Sequence, residues 1–144
     1  LATDCQPLHG LMQAMLEVCP DLHAVRDASR GGVATVLNEF AESSEVSIRL
    51  FENKIPVRNE VRGVCEILGL DALYFANEGK LVAVVTAEKA DAVLAVMQAH
   101  PAGQGSAIIG EVLEGYAGRV LVQTGFGGER ILDMLVGEQL PRIC

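Results

Sequence analysis

This sequence predicts an α+β sandwich, with helices packed on a mostly buried sheet, and three observations carry the prediction. Four stretches place apolar residues at helical spacing. Several shorter stretches, one of them an unbroken apolar run, have the length and composition of strands. The predicted elements follow the order α-α-β-α-β-α-β-β, with no internal repeat and no low-complexity linker.

The first helix is carried by Leu8, Leu11, Met12, Met15 and Cys19, and Pro20 closes it. A second begins just after "DASRGG", with Val33, Val36, Leu37, Phe40 and Ala41 on one stripe. Glu45 to Phe51, "EVSIRLF", alternates in part and predicts a strand. Val61, Val64, Cys65 and Leu68 make a third helical stripe, ended by Gly69. Lys80 to Ala87, "KLVAVVTA", runs apolar without interruption, as in a strand covered on both faces. Thr86 is placed to N-cap a fourth helix that faces inward through Ala90, Val93, Leu94 and Met97, with Glu88 complementing its dipole. "SAIIGEVLEG" and "GRVLVQT" predict two strands joined by the turn "EGYAG", and "ERILDML" adds a short strand or a helical turn. From about Val136 the pattern stops, and "VGEQLPRIC" predicts a mobile tail.

Composition narrows the function. The 144 residues suffice for one ordinary core. With 11 Lys+Arg against 19 Asp+Glu the net charge is -8, which repels phosphodiester backbones and anionic lipid, so no nucleic acid and no membrane is expected as a partner. No apolar run is long enough to span a bilayer. The start at Leu1 has neither Met nor the basic and apolar regions of a signal peptide, and predicts a piece cut from a longer chain. Cys5, Cys19, Cys65 and Cys144 form no CxxC pair, and His9, His23 and His100 are scattered, so no metal site is expected. Cys19 and Cys65 lie on apolar stripes and read as small hydrophobes. A reducing cytoplasm fits this usage.

Three local signals remain. In "RDASRGGV" (Arg26 to Val33) a double glycine opens a helix, which lets the backbone approach an anion and turns N–H groups toward it, with Arg30 adding a charged fork. The same stretch also reads as a plain tight turn with Asp27 or Ser29 as cap, and taken alone that reading is the commoner. In "ANEGK" (Ala76 to Lys80) Glu78 is a carboxylate at the mouth of the buried strand, suited to a general base, and Asn77 could orient an amide. The alternative is a polar turn with Gly79 at positive φ. The third signal is the terminal Cys144, a thiol placed to travel as a carrier of covalently bound substrate. The α-carboxylate raises its pKa and Arg142 lowers it, so pKa alone leaves its reactivity undecided.

Taken together and in this order, Asp27 to Gly32, Asn77 to Gly79 and the terminal Pro-Arg-Ile-Cys resemble the C-terminal half of the carbamoyl dehydratases of [NiFe]-hydrogenase maturation. These belong to a superfamily with aminoimidazole ribonucleotide synthetase and selenophosphate synthetase. The resemblance covers essentially the whole chain, and the chain end Pro-Arg-x-Cys is its most specific part; Ser29 stands where Thr is more usual.

The resemblance implies helices on a mixed, mostly antiparallel sheet over residues 1–135, a flexible tail over 136–144, and an N-terminal ATP-binding domain outside this chain. It implies that a partner carbamoyltransferase loads Cys144, that ATP with Mg²⁺ drives dehydration to a thiocyanate, and that an iron-carrying scaffold complex takes the cyano group. Catalytic roles fall on Cys144 and Glu78, and substrate or phosphate binding on Asn77, Arg30, Gly31 and Gly32. The full-length protein is implied to be a homodimer, and this part to be inactive alone. Two other readings stay open: a superfamily enzyme that phosphorylates a small molecule, and a non-catalytic carrier that presents the modified tail.

Overall fold

A computed structural model describes residues 3–115, 118–134 and 137. The elements are α1 (His9–Val18), β1 (Ala24–Asp27), α2 (Gly32–Ser43), β2 (Ser47–Phe51), α3 (Asn59–Leu68), β3 (Leu81–Val84), α4 (Ala87–Ala99), β4 (Gly110–Leu113), β5 (Arg119–Gln123) and β6 (Glu129–Ile131). Short 3₁₀ turns cover Ala72–Tyr74 and Pro101–Gly103.

The strands form two sheets, a ribbon β1–β3 and a four-stranded sheet in the order β4-β2-β5-β6. Three pairings are antiparallel, and β2 with β5 is parallel. The α+β class with a mixed, mostly antiparallel arrangement is therefore borne out.

Two apolar cores explain this layout. Ala34, Leu37 and Ala41 of α2 pack on Ile48, Leu50, Val120 and Val122 of the larger sheet, together with Leu73 and Leu132. Leu11 and Met15 of α1, with Cys19 just past its end, pack against Val93 of α4. Burying a Leu- or Met-sized side chain contributes about 1.5–3 kcal/mol, so each stripe secures its helix. The ribbon lies between the cores. Leu81 and Ala83 face the α1–α4 cluster and Val82 faces the α2 cluster, which is why the run "KLVAVV" carries no polar alternation.

Four details refine the expected elements. Ala24–Asp27 is a strand that the pattern did not announce; it is four residues long with an exposed end, too short for periodicity to register. The strands foreseen in "SAIIGEVLEG" and "GRVLVQT" are β4 and β5, but they are not neighbours in the sheet, because β2 lies between them and pairs with both. Sequence proximity favours neighbours, but here a long-range parallel pairing wins. Of the two readings given for "ERILDML", the strand holds, with Glu129–Ile131 paired to β5. Thr86 occupies the N-cap position of α4 without a side-chain cap bond.

α3 is the most open helix described. Its predicted stripe buries Cys65, while Ile67 and Leu68 are 84% and 60% exposed. The expected tail, residues 136–144, lies outside the described residues apart from Gly137.

Candidate functional site at the end of the ribbon

The antiparallel register sets Asp27 opposite Leu81, so the chain leaves β1 where it enters β3. Two further backbone bonds extend the ribbon: Ala28 N–H donates to Lys80 O (3.2 Å), and Asn77 N–H donates to Ala28 O (2.9 Å). The two motifs singled out from sequence, Asp27–Gly32 and Asn77–Gly79, thus meet at one end of one ribbon.

The double glycine is required by geometry. Gly31 is the N-cap of α2 at φ 69° and Gly32 follows at φ 63°, both in the left-handed region that L side chains rarely adopt. A Cβ on Gly32 would stand 2.5 Å from the carbonyl oxygens of Leu73 and Phe75. The helix start is therefore docked against the backbone that leads into Asn77. Neither Asp27 nor Ser29 caps α2, since the Ser29 hydroxyl donates to Asp27 Oδ2 (2.7 Å). Arg26 pairs with Glu39 of α2, and the Arg30 side chain is exposed beside the turn.

The Asn77–Gly79 turn is bonded internally and externally. Asn77 Nδ2 donates to Phe75 O (2.6 Å) and Asn77 Oδ1 accepts from Lys80 Nζ (2.6 Å). The Asn77 side chain, expected to face a substrate amide, is thus partly committed to shaping its own turn. The Glu78 side chain is exposed, while its N–H donates to Asp4 Oδ2 (3.2 Å). Gly79 is buried and does not have the positive φ foreseen for it. It is glycine for a different reason: a Cβ there would run into the Asp4 backbone carbonyl. Asp4 and Gln6 are site neighbours that sequence reasoning missed, because no local pattern in Thr3–Pro7 announces them.

Among the described residues no three His, Cys, Asp or Glu side chains come together to hold a metal ion. A hollow of about 590 Å³, lined by Arg49, Arg119, Leu121 and Glu129, lies on the outer face of the four-stranded sheet and shares no residue with the motifs. It is a concavity bridged by the Arg49–Glu129 ion pair (3.0 Å). Cys19 is fully buried, and burial first, then its contact with Asp21, pushes its thiol up. Cys5 is exposed, Cys65 is buried, and Cys144 lies outside the described residues. No helix is long and apolar enough to cross a membrane among the described residues.

Comparison with known proteins agrees with the resemblance. The chain is 51% identical over all 144 residues to the carbamoyl dehydratase HypE of Azotobacter vinelandii, covering 42% of that protein. A solved structure of the hydrogenase maturation protein HypE in complex with ATP superposes with TM-score 0.91 at 45% identity, over 99% of this chain and 44% of that one. A HypE–HypF complex matches with TM-score 0.89 at 38% identity, over 94% of this chain and 44% of that one. The chain therefore spans about two-fifths of the length of the relatives it matches. Residues 2–123 match the family described as AIR synthase related protein, C-terminal domain, and the chain belongs to that family.

Proposed function

We propose that this chain is the C-terminal part of an ATP-dependent carbamoyl dehydratase that supplies the cyano ligand of [NiFe] hydrogenases. The observation that carries the proposal is the meeting of Asp27–Gly32 and Asn77–Gly79 at one ribbon end, in a chain half-identical throughout to a carbamoyl dehydratase. In this reading residues 1–135 are the domain body and residues 136–144 a tail that carries the substrate on Cys144. An N-terminal domain binds ATP, and the full protein works as a cytoplasmic homodimer. A carbamoyltransferase loads the cysteine; the HypE–HypF complex supports a partner of that kind. An iron-carrying scaffold accepts the product.

The reaction converts a thiol-borne carboxamide, S–C(=O)–NH₂, to S–C≡N. ATP supplies the phosphoryl group that turns the amide oxygen into a leaving group. The C–O bond then breaks, the oxygen departs with phosphate, and both N–H protons must leave the nitrogen. Glu78 is the proposed base. Its exposed carboxylate can accept a proton once the tail brings the carbamoyl nitrogen to roughly 3 Å. The left-handed turn at Gly31–Gly32 opens α2, and its amides with Arg30 are suited to hold the phosphate as charge collects on it. Asn77 spends one amide hydrogen on Phe75 and keeps its turn rigid beside the substrate. The described donor set does not fit Mg²⁺, and the metal's ligands are assigned to the N-terminal domain.

The test is intact-protein mass spectrometry of the full-length protein with carbamoyl donor, transferase and Mg-ATP. The terminal peptide should gain a carbamoyl mass and then lose one water's mass. Glu78→Gln should stop at the carboxamide, and Cys144→Ala should abolish both changes. Consumption of ATP with another substrate while Cys144 stays unmodified would hand the protein to the small-molecule reading. The isolated chain should not hydrolyse ATP.

A further inference from the structure

The segment Thr3–Pro7 has no secondary structure, yet it is bonded to the site. Asp4 Oδ2 accepts from Glu78 N–H at 3.2 Å. Gln6 Nε2 donates to Gly79 O at 3.0 Å and to Ala102 O at 3.1 Å, tying the turn to the 3₁₀ turn that follows α4. The backbone of Asp4 passes so close to Gly79 that no side chain fits between them, and a Cβ there would also stand 2.9 Å from Gln6 Cγ. On its other flank the turn is bonded to Ala28 through Asn77 N–H. Glu78 therefore sits on a backbone clamped from two directions while its carboxylate remains exposed.

Free side chains at a protein surface sample several rotamers, and a base that must meet a carried substrate gains from a fixed Cα–Cβ direction. We propose that Asp4 and Gln6 are positioning residues which form a strap over the Asn77–Gly79 turn and fix the direction from which Glu78 reaches the carbamoyl nitrogen. This rests on the reading of Glu78 as the base. Asp4 acts through a backbone amide and Gln6 through a backbone carbonyl, so neither needs to touch substrate.

The experiment uses the full-length protein and two readouts. The first is amide hydrogen exchange. Gln6→Met, which keeps length but removes the donor, and Asp4→Ala should each speed exchange at Glu78 by about ten-fold. Exchange at Val120 and Val122 in β5 should not move. The second is single-turnover dehydration of preloaded carbamoyl-Cys144. Both variants should slow it by about ten-fold or more, while the rate at which the transferase loads Cys144 is unchanged. Asp4→Asn, which retains an oxygen acceptor, should recover most of the rate. In a Glu78→Gln background Gln6→Met should add nothing, whereas a general loss of structure would slow loading as well.

Unchanged exchange at Glu78 in both variants would overturn the strap. So would faster exchange with wild-type dehydration in a protein that Glu78→Gln does slow. Wild-type dehydration by Glu78→Gln overturns the base assignment itself. That failure is told apart because the exchange measurement does not depend on Glu78 chemistry.

Discussion

Three glycines separate the two reasons a glycine is needed, and substituting each by alanine turns the docking of the α2 turn into a number. Gly63 lies within α3 with nothing within 4 Å of its would-be Cβ, so Gly63→Ala should only gain helix propensity, about 1 kcal/mol of added stability. Gly69 closes α3 at φ 65°, again with nothing within 4 Å. Gly69→Ala incurs the left-handed strain of roughly 1–2 kcal/mol, partly offset by about 0.4–1 kcal/mol from a less flexible unfolded chain, a net cost of about 1 kcal/mol. Gly32 carries the same strain at φ 63°, and its Cβ also meets two backbone carbonyls at 2.5 Å. Those carbonyls belong to Leu73 and Phe75 and cannot rotate aside as a side chain can. Relieving the overlap costs about 1–3 kcal/mol more, so Gly32→Ala should lose roughly 2–4 kcal/mol. For 144 residues the unfolding entropy is about 0.3 kcal/mol per degree, so 1 kcal/mol corresponds to about 3 °C. Thermal unfolding followed by circular dichroism should place Gly63→Ala about 3 °C above the parent, Gly69→Ala about 3 °C below it, and Gly32→Ala about 6–13 °C below it. A Gly32→Ala midpoint no lower than that of Gly69→Ala would refute the reasoning, because the carbonyls would then yield freely and the turn would not be docked.

Two further expectations concern groups away from the turn. Asn38 is buried in α2, and its Nδ2 donates to Ala34 O (2.9 Å) and to Leu132 O (2.8 Å), just past β6; Asn38→Leu should cost about 1–3 kcal/mol in urea unfolding by leaving a buried carbonyl without its donor, and a neutral result would show that this carbonyl finds water. Burial first, then the Asp71 carboxylate, raises the Tyr74 hydroxyl above its ordinary value, and this hydroxyl donates to Asp133 O (2.8 Å). The unfolded phenol ionises first, so the stability it contributes is complete below about pH 10 and is lost as pH rises through the folded value. Tyr74→Phe should flatten the alkaline decline in unfolding midpoints, and an identical decline in the variant would remove Tyr74 as its source.

Local chemistry was readable wherever one element decides it. The stripes of α1, α2 and α4, the unbroken β3 run and the two polar turns all follow from neighbours within one helical or strand period. Cys19 and Cys65 are buried, as apolar-stripe positions imply. Illegible features are those settled by distant chain. Whether β4 and β5 pair with each other or with β2 depends on β2, which joined the sheet from far upstream. The adjacency of Asp27–Gly32 and Asn77–Gly79 depends on the ribbon register, and half of that ribbon, β1, carries no pattern. Gly79 is instructive: a turn glycine suggests positive φ, but the cause here is the backbone of Asp4, and steric exclusion between remote segments leaves no trace in a local window. Thr86 shows the reverse case, a good capping residue at the right position whose side chain makes no cap bond.

The ribbon's two-sided burial makes assembly of the site all-or-none. Side chains along a strand alternate faces, so sliding β3 by one residue would send Val82 into the α1–α4 cluster and Leu81 and Ala83 into the α2 cluster. That exchange keeps apolar side chains on both faces but mismatches their volumes in two packed cores at once, and intermediate offsets do not exist for a pleated strand. A destabilising change in either core should therefore lower the fraction of molecules in which the motifs meet, without altering how they meet in the molecules that remain. Across variants of this chain, activity lost through the cores would track folded population, and activity lost through the turns would not.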